Sequence, residues 1–202
     1  MLRGPTRSKR IEHHAAVAID DMGAFVQRLR TAEGTGALAL ELLVLTAARS
    51  GEVRGATWDE IDTRAKVWTI PAERMKAGKE HRVPLSAAAL AVLARARKLP
   101  RVADTNLVFP APRGGPLSDM TLTAVMRRME VPAVPHGFRS TFRDWSAERT
   151  DYPRDVAEMA LAHTIGDKVE AAYRRGDLFD KRRQMMADWA AFVAIVPRRK
   201  PK

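Results

Sequence analysis

The sequence predicts a mostly helical fold with one small antiparallel β-sheet near its front, an α+β domain. Apolar residues recur at helical spacing through most of the chain, but between Trp58 and Ser86 the pattern changes to short β-like runs. The chain has 202 residues, of which 46% are hydrophobic, and this suffices for one ordinary core. We expect the folded domain at 19–196, after a linker or tail at 1–18 and before a basic tail at 197–202.

The first two helices are predicted in the N-terminal part of the domain. Apolar residues three and four positions apart follow Asp20 and Asp21, and Gly34 and Gly36 end this helix. The next segment, 36–48, is apolar nearly all round. That composition is typical of a helix buried at the centre of a domain.

The small sheet is predicted from two runs that flank a turn. The runs are KVWTIP and HRVPLS, and the turn between them contains KAGKE, in which Gly78 supplies backbone freedom. This pattern favours an antiparallel hairpin.

Helical patterns return after the hairpin and continue to the end of the domain. Two of them begin with a recognisable start signal, Ser118 as an N-cap and Pro153 at the first helical position. The predicted helices are 87–98, 118–130, 138–149, 153–162 and 178–195.

Charge and composition restrict the function. Lys and Arg number 35 against 24 Asp and Glu, and the net charge of +11 favours a polyanionic partner. The absence of cysteine excludes disulfides, zinc ribbons and thiolate chemistry, and we expect a cytoplasmic protein with no membrane span. No carboxylate or histidine cluster has metal-ligand spacing, so we expect no metal and no cofactor.

One polar pair stands where a helix is predicted to begin. His136 precedes Arg139 by three positions, and Phe138, Phe142 and Trp145 would anchor the same helix in the core. A helix N-terminus presents unpaired N–H groups, and a guanidinium adds a planar fork suited to phosphate oxygens. The pair favours a phosphate site, although simple capping would give the same pattern.

Three further residues are unusual in their setting. Arg49 lies where the buried helix ends, and its charge needs an anionic partner; Glu52, three residues on, can orient it or merely neutralise it. Tyr173 comes ten positions after His163 and is followed by two arginines, a setting that eases loss of its phenolic proton. The other tyrosine, Tyr152, lies beside a proline and is interpreted as packing or surface.

Taken in order, these motifs resemble those of the tyrosine recombinases, and among them the phage- and island-type integrases. The matching segments are TAARSGEVRGATWDEID, MKAGKEHRVPLS, HGFRSTFRDW, LAH and EAAYRRGDLFDKRRQMMADWA, in that order along the chain. The resemblance implies a recombinase catalytic-domain fold and metal-independent cleavage and rejoining of DNA.

The resemblance also implies a role for each residue that matches a motif. Tyr173 would attack a DNA phosphodiester and form a 3′-phosphotyrosyl link. Arg49 and Arg139 would hold the non-bridging oxygens, and His163 would donate a further hydrogen bond.

The remaining roles concern proton transfer and orientation. His136 would be the general base or a phosphate contact, and Glu52 would orient its neighbours. Lys76 would be the acid that protonates the leaving 5′-oxygen, with Lys79 as the alternative three residues on. His81, beyond the turn, is given no role.

The family's usual chain is longer, with a core-binding domain ahead of the catalytic one, and we expect that N-terminal domain to be absent here. The implied partners are a double-stranded DNA attachment site, other integrase protomers on DNA and accessory DNA-bending factors. Two alternatives stay open: a type IB topoisomerase-like relaxing enzyme, and a non-catalytic DNA-binding module from a truncated integrase. A metal-dependent nuclease would need acidic clusters that the sequence lacks.

Overall fold

A computed structural model of the chain describes residues 15–100, 105–163 and 176–196. Within these ranges the fold is mostly helical with one three-stranded antiparallel sheet, so the predicted fold class is confirmed. The helices are α1 Met22–Thr31, α2 Thr35–Thr46, α3 Ser50–Arg54, α4 Ala87–Ala96, α5 Thr121–Arg128, α6 Gly137–Arg149, α7 Arg154–Ala160 and α8 Phe179–Phe192.

The sheet consists of β1 Ile61–Asp62, β2 Val67–Ile70 and β3 His81–Pro84, in that spatial order. Strands β2 and β3 form the predicted hairpin, and Gly78 in the turn has a φ of +61°, a backbone conformation that glycine adopts without steric cost. Strand β1 was not predicted, because two residues are too short to show a period.

Helix α2 lies at the centre of the core, as its all-round apolar composition predicts. Residues 37–46 are all buried, and the helix packs against α1, α4, α5 and α8. The one carboxylate on it, Glu41, is paired with Arg30 at 2.7 Å and Arg95 at 2.8 Å. A buried charge of this kind is tolerated because both of its oxygens accept charged hydrogen bonds.

The C-terminal helix packs on the body of the same chain. Trp189 of α8 is fully buried and meets Phe142 of α6 edge to face, with ring centroids 5.4 Å apart. Its indole N–H donates to the Val44 carbonyl near the end of α2 at 2.7 Å. Helix α8 therefore closes the core from the side where α2 ends.

The two predicted helix-start signals have other roles in the structure. Helix α5 begins at Thr121 and not after Ser118, because the Ser118 hydroxyl bonds the Thr121 hydroxyl at 2.9 Å and caps no backbone N–H. Helix α7 begins at Arg154, so Pro153 is its N-cap and not its first helical residue.

The residues ahead of α1, from Ala15 to Val17, pack against the start of α6. The Ala15 carbonyl accepts from the Val134 N–H at 3.0 Å, and the Val17 carbonyl accepts from the Thr141 hydroxyl at 2.7 Å. A Cβ on Gly137 would lie 2.3 Å from the Ala15 oxygen, so only glycine permits this approach. In the part of the chain that the structure describes, no helix has the length and apolar character of a membrane span.

Candidate active site

Arg49 is held at the start of α3, as its N-cap residue. Glu52 accepts the Arg49 backbone N–H at 2.7 Å through Oε2 and the guanidinium Nη1 at 2.8 Å through Oε1. The Glu52 side chain is 5% exposed and that of Arg49 25% exposed. The guanidinium is thus fixed from behind and keeps one edge open to solvent.

Arg139 is buried in the first turn of α6, with 4% of its surface exposed. Its Nη1 donates to the Ala47 carbonyl and its Nη2 to the Leu161 carbonyl, both at 2.6 Å. Burial first, and then the neighbouring charge of Arg49, lowers the pKa of Arg139 to about 10. The group is still positively charged at neutral pH, next to a second arginine.

His163 lies beyond α7 between a carboxylate and this arginine. Its Nδ1 is 2.6 Å from Glu158 Oε2, and its Nε2 is 3.0 Å from Arg139 Nη2. A carboxylate only accepts, so Nδ1 carries the proton, and Nε2 of a neutral ring accepts from the arginine. Glu158 thereby sets both the tautomer and the orientation of the imidazole.

The carbonyls at the end of α7 bring these groups together. Two successive carbonyls accept from two different elements: Leu161 from Arg139 at 2.6 Å and Ala162 from Arg49 at 3.4 Å. The last carbonyls of a helix have no partner in the helix and carry partial negative charge, so they attract such donors.

Two alanines next to the arginines have left-handed backbone. Ala47 has a φ of 50° and Ala162 a φ of 49°, a region that costs a non-glycine residue roughly 1–2 kcal/mol. In each, the carbonyl accepts a hydrogen bond from a site arginine. Strained backbone held by surrounding contacts is typical of functional sites.

Lys76 faces the same site from the loop between β2 and β3. An open cavity of about 490 Å³ is lined by Arg49, Lys76, Ala77, Glu158, Ala162 and His163. Lys79 is exposed and is not among the described residues of this lining. The geometry thus distinguishes two lysines that the sequence leaves three positions apart.

Two of the predicted residues are placed differently from the rest. His136 is the N-cap of α6 and is exposed, and its carbonyl accepts from the Arg139 N–H at 3.1 Å. It is therefore one helical turn from Arg139, but it is not among the described residues that line the cavity. Tyr173 lies outside the residues that the structure describes.

His81 and Arg182 were given no role from the sequence, yet His81 is close enough to Arg182 and Arg49 for both charges to lower its pKa. Burial first, and then the charge of Arg182, lowers the pKa of His81 to about 4, so the ring is neutral at physiological pH. Arg182, 1% exposed, joins α8 to β3 by donating to the Arg82 carbonyl and to Asp177, each at 2.7 Å. The contact with the Arg82 carbonyl has no local sequence signal, because the two residues are 100 positions apart in the chain.

The sequence pattern of the phage integrase family matches residues 17–177. The chain belongs to the phage integrase family. The resemblance drawn from the ordered motifs is therefore confirmed, and the side chains that line the cavity, together with Arg139, lie within the matched residues.

Two relatives in this family are bacterial and viral integrases. The chain is 38% identical to prophage integrase IntA of Escherichia coli K12 over 154 residues, 74% of this chain and 37% of IntA. It is 30% identical to the integrase of Enterobacteria phage P4 over 213 residues, 95% of this chain and 48% of that integrase. The chain thus spans less than half the length of these family members.

Among solved structures, a lambda integrase dimer bound to a COC′ core site has a similar fold. The TM-score is 0.60 at 21% identity, with 85% of this chain and 51% of the lambda chain covered. At this identity the similarity shows that the two chains share the integrase catalytic-domain fold.

Proposed function

We propose that this chain is the catalytic domain, at 19–196, of a site-specific DNA recombinase that cleaves and rejoins strands through Tyr173. One observation carries the proposal. Arg49, Arg139 and His163 are joined around the end of α7, and Lys76 faces them across one cavity. Family membership and net charge support DNA as the substrate.

The positive groups suit an in-line displacement at phosphorus. Such a reaction asks the protein for positioning and for charge at the non-bridging oxygens, and two guanidiniums supply both. Arg49 is oriented by Glu52, and Arg139 by the carbonyls of Ala47 and Leu161. A phosphate in the cavity would replace the long Arg49–Ala162 contact of 3.4 Å with a charged hydrogen bond.

The proposed cleavage step balances without water or metal. The Tyr173 oxygen attacks phosphorus as its phenolic proton passes to His136, and a new P–O bond forms. The P–O5′ bond breaks, and the leaving oxygen takes a proton from the Lys76 ammonium. The products are a 3′-phosphotyrosyl link and a free 5′-hydroxyl, and the reverse step on another 5′-hydroxyl rejoins the strands without ATP.

The proposed partners are the DNA attachment site and further copies of the integrase on it. Lambda integrase, which shares the fold, is a dimer on its core site. We extend that arrangement to this chain, together with accessory DNA-bending factors and a cytoplasmic, nucleoid-associated location.

The test is a covalent adduct. Nicked duplexes with randomised flanks are incubated with the chain in excess chelator, and the duplexes that form a detergent-resistant adduct are sequenced. The selected duplex then becomes the defined probe. We expect an adduct with the wild type and none with Tyr173→Phe.

The other outcomes separate the alternatives. Binding to DNA without an adduct would support a non-catalytic module, and cleavage only after magnesium is added would support a nuclease. Relaxation of supercoiled plasmids that lack the selected sequence would support a topoisomerase-like enzyme. Each of these results contradicts the proposed recombinase.

A further inference from the structure

The loop that carries Lys76, residues 71–80 and called here the lysine loop, has few anchors of its own. Met75 is its one buried residue, and Lys76 and the four residues after it are exposed. Three hydrogen bonds inside the loop shape a turn but do not attach it to the rest of the domain. A lysine on such a loop needs an external contact to hold it opposite the arginines.

Arg74 makes that contact. Its Nη2 donates to the Glu52 carbonyl on α3, and its Nη1 pairs with the Glu60 carboxylate. Glu60 is itself fixed, because the Trp68 indole N–H of β2 donates to it at 2.9 Å. The guanidinium thus joins the lysine loop to α3 and to the sheet at once.

The residue that Arg74 contacts on α3 also orients Arg49. Glu52 offers its carbonyl to Arg74 and its carboxylate to Arg49. Lys76 follows Arg74 by two positions in the chain and lines the cavity with Arg49. One short segment of backbone therefore sets the spacing between the proposed acid and the proposed phosphate-binding arginine.

Gly55 at the end of α3 makes room for this arrangement. A Cβ at Gly55 would lie 3.0 Å from Arg74 Nη2, closer than ordinary contact, while the backbone φ of −100° permits any residue. A methyl group there would displace the guanidinium without removing it.

Resting on the proposed function, we infer that Arg74 is a positioning residue that holds Lys76 in place to protonate the leaving 5′-oxygen. Arg74 touches no reacting atom. It acts through the lysine loop, by a planar fork that bridges a carboxylate and a carbonyl, and lysine cannot reproduce that bridge with a single ammonium.

A sulfur substitution in the DNA separates this role from a general structural one. When the bridging 5′-oxygen at the scissile phosphate is sulfur, the leaving group is a thiolate. A thiol has a pKa of about 8.5, far below the pKa of an alcohol, so the thiolate leaves without an acid. Loss of the acid then matters for the oxygen duplex and not for the sulfur duplex.

The experiment measures adduct formation by the chain on the selected duplex in both forms. On the oxygen duplex, Arg74→Lys is expected to slow adduct formation about 10–100-fold and Gly55→Ala about 3–10-fold. These losses are at or below the roughly 10²–10⁴-fold contribution of a general acid, because Lys76 is displaced but still present. On the sulfur duplex the rate of adduct formation by both variants is expected to be within about threefold of the wild-type rate, which is the pattern of a lost general acid. The ratio of the two rates cancels any loss of folded protein, since both duplexes meet the same preparation.

Two comparisons complete the design. Arg30→Lys weakens the ion pair with Glu41, neither residue being among the described residues that line the cavity, and is expected to leave the ratio at its wild-type value. Arg74→Lys combined with Lys76→Ala is expected to match Lys76→Ala alone, because Arg74 acts through that lysine.

The outcomes are distinct. An equal loss on both duplexes, an unchanged rate on the oxygen duplex, or no adduct of Arg74→Lys on the sulfur duplex would overturn the inference. Absence of any wild-type adduct on either duplex would instead overturn the proposed function.

Discussion

The pairing of Glu52 with Arg49 gives the sharpest prediction about the site, and Glu52→Gln is the change that tests it. Glu52 accepts two hydrogen bonds from Arg49, at 2.7 and 2.8 Å. The carboxamide of glutamine has one accepting oxygen, so its NH₂ group would face a donor. The variant loses at least one charged hydrogen bond and a favourable charge contact.

The magnitude follows from the exposure of the two partners. A hydrogen bond to a charged group contributes about 1.5–3 kcal/mol, and water can reach the Arg49 side chain, which is 25% exposed. We therefore expect the free energy of unfolding to fall by about 2 kcal/mol, or Tm by about 4–8 °C. Removing one phosphate donor costs roughly 10²–10³ in rate, so an arginine that is loosened but present should cost about 10–100-fold.

The chain contains a matched control in Glu41→Gln. Glu41 is equally buried and also accepts from arginine through both oxygens, but it lies on α2 roughly 9 Å before Ala47 along the helix axis. Glu41→Gln should lower the free energy of unfolding by an amount similar to that of Glu52→Gln and leave the rate of adduct formation per folded molecule unchanged.

Both quantities are accessible. Urea unfolding followed by fluorescence of the four tryptophans gives the stability, and adduct formation on the selected duplex gives the rate. If the two variants lost adduct rate to the same extent, or if Glu52→Gln kept the wild-type rate, the proposed orienting role of Glu52 would be refuted.

Three further predictions concern the acid, the core and pH. Lys76→Ala should slow adduct formation on the oxygen duplex at least 100-fold while Lys79→Ala stays within about twofold; the reverse order would assign the acid to the other lysine. Trp189→Phe should lower the free energy of unfolding in urea by about 2–4 kcal/mol, because it leaves the buried Val44 carbonyl unpaired. Trp145→Phe makes the same change of ring without losing that hydrogen bond and should cost about 1 kcal/mol less. Equal losses would contradict a stabilising role for the hydrogen bond. Folding lowers the pKa of His81 from 6.5 to about 4, chiefly by burial, so the neutral ring's contribution to stability is full above pH 6.5 and is lost as the pH falls to about 4. Between these two pH values the free energy of unfolding of His81→Gln should therefore fall by about 2–3 kcal/mol less than that of the wild type. Parallel plots of unfolding free energy against pH for the two proteins would rule this out.

Local pattern was enough for much of the fold. The apolar run of α2, the apolar stripe on α6 and the hairpin around Gly78 can each be predicted from a few consecutive residues, since helical and strand periods depend on neighbours in the chain. The misplaced start of α5 shows the limit of that reasoning. Ser118 has the right residue type for a cap, but its hydroxyl bonds the Thr121 hydroxyl and not a backbone N–H.

The sequence by itself determined the family and the set of chemical groups, because ordered motifs with Arg49, Arg139 and His163 need no coordinates to be read. Only the tertiary structure decided how those groups are held. The Leu161 carbonyl just after α7 and the Glu52 carbonyl on α3 each accept from an arginine of another element. A backbone carbonyl is the same in every residue type, so nothing in the letters of the chain marks which of them will meet a guanidinium.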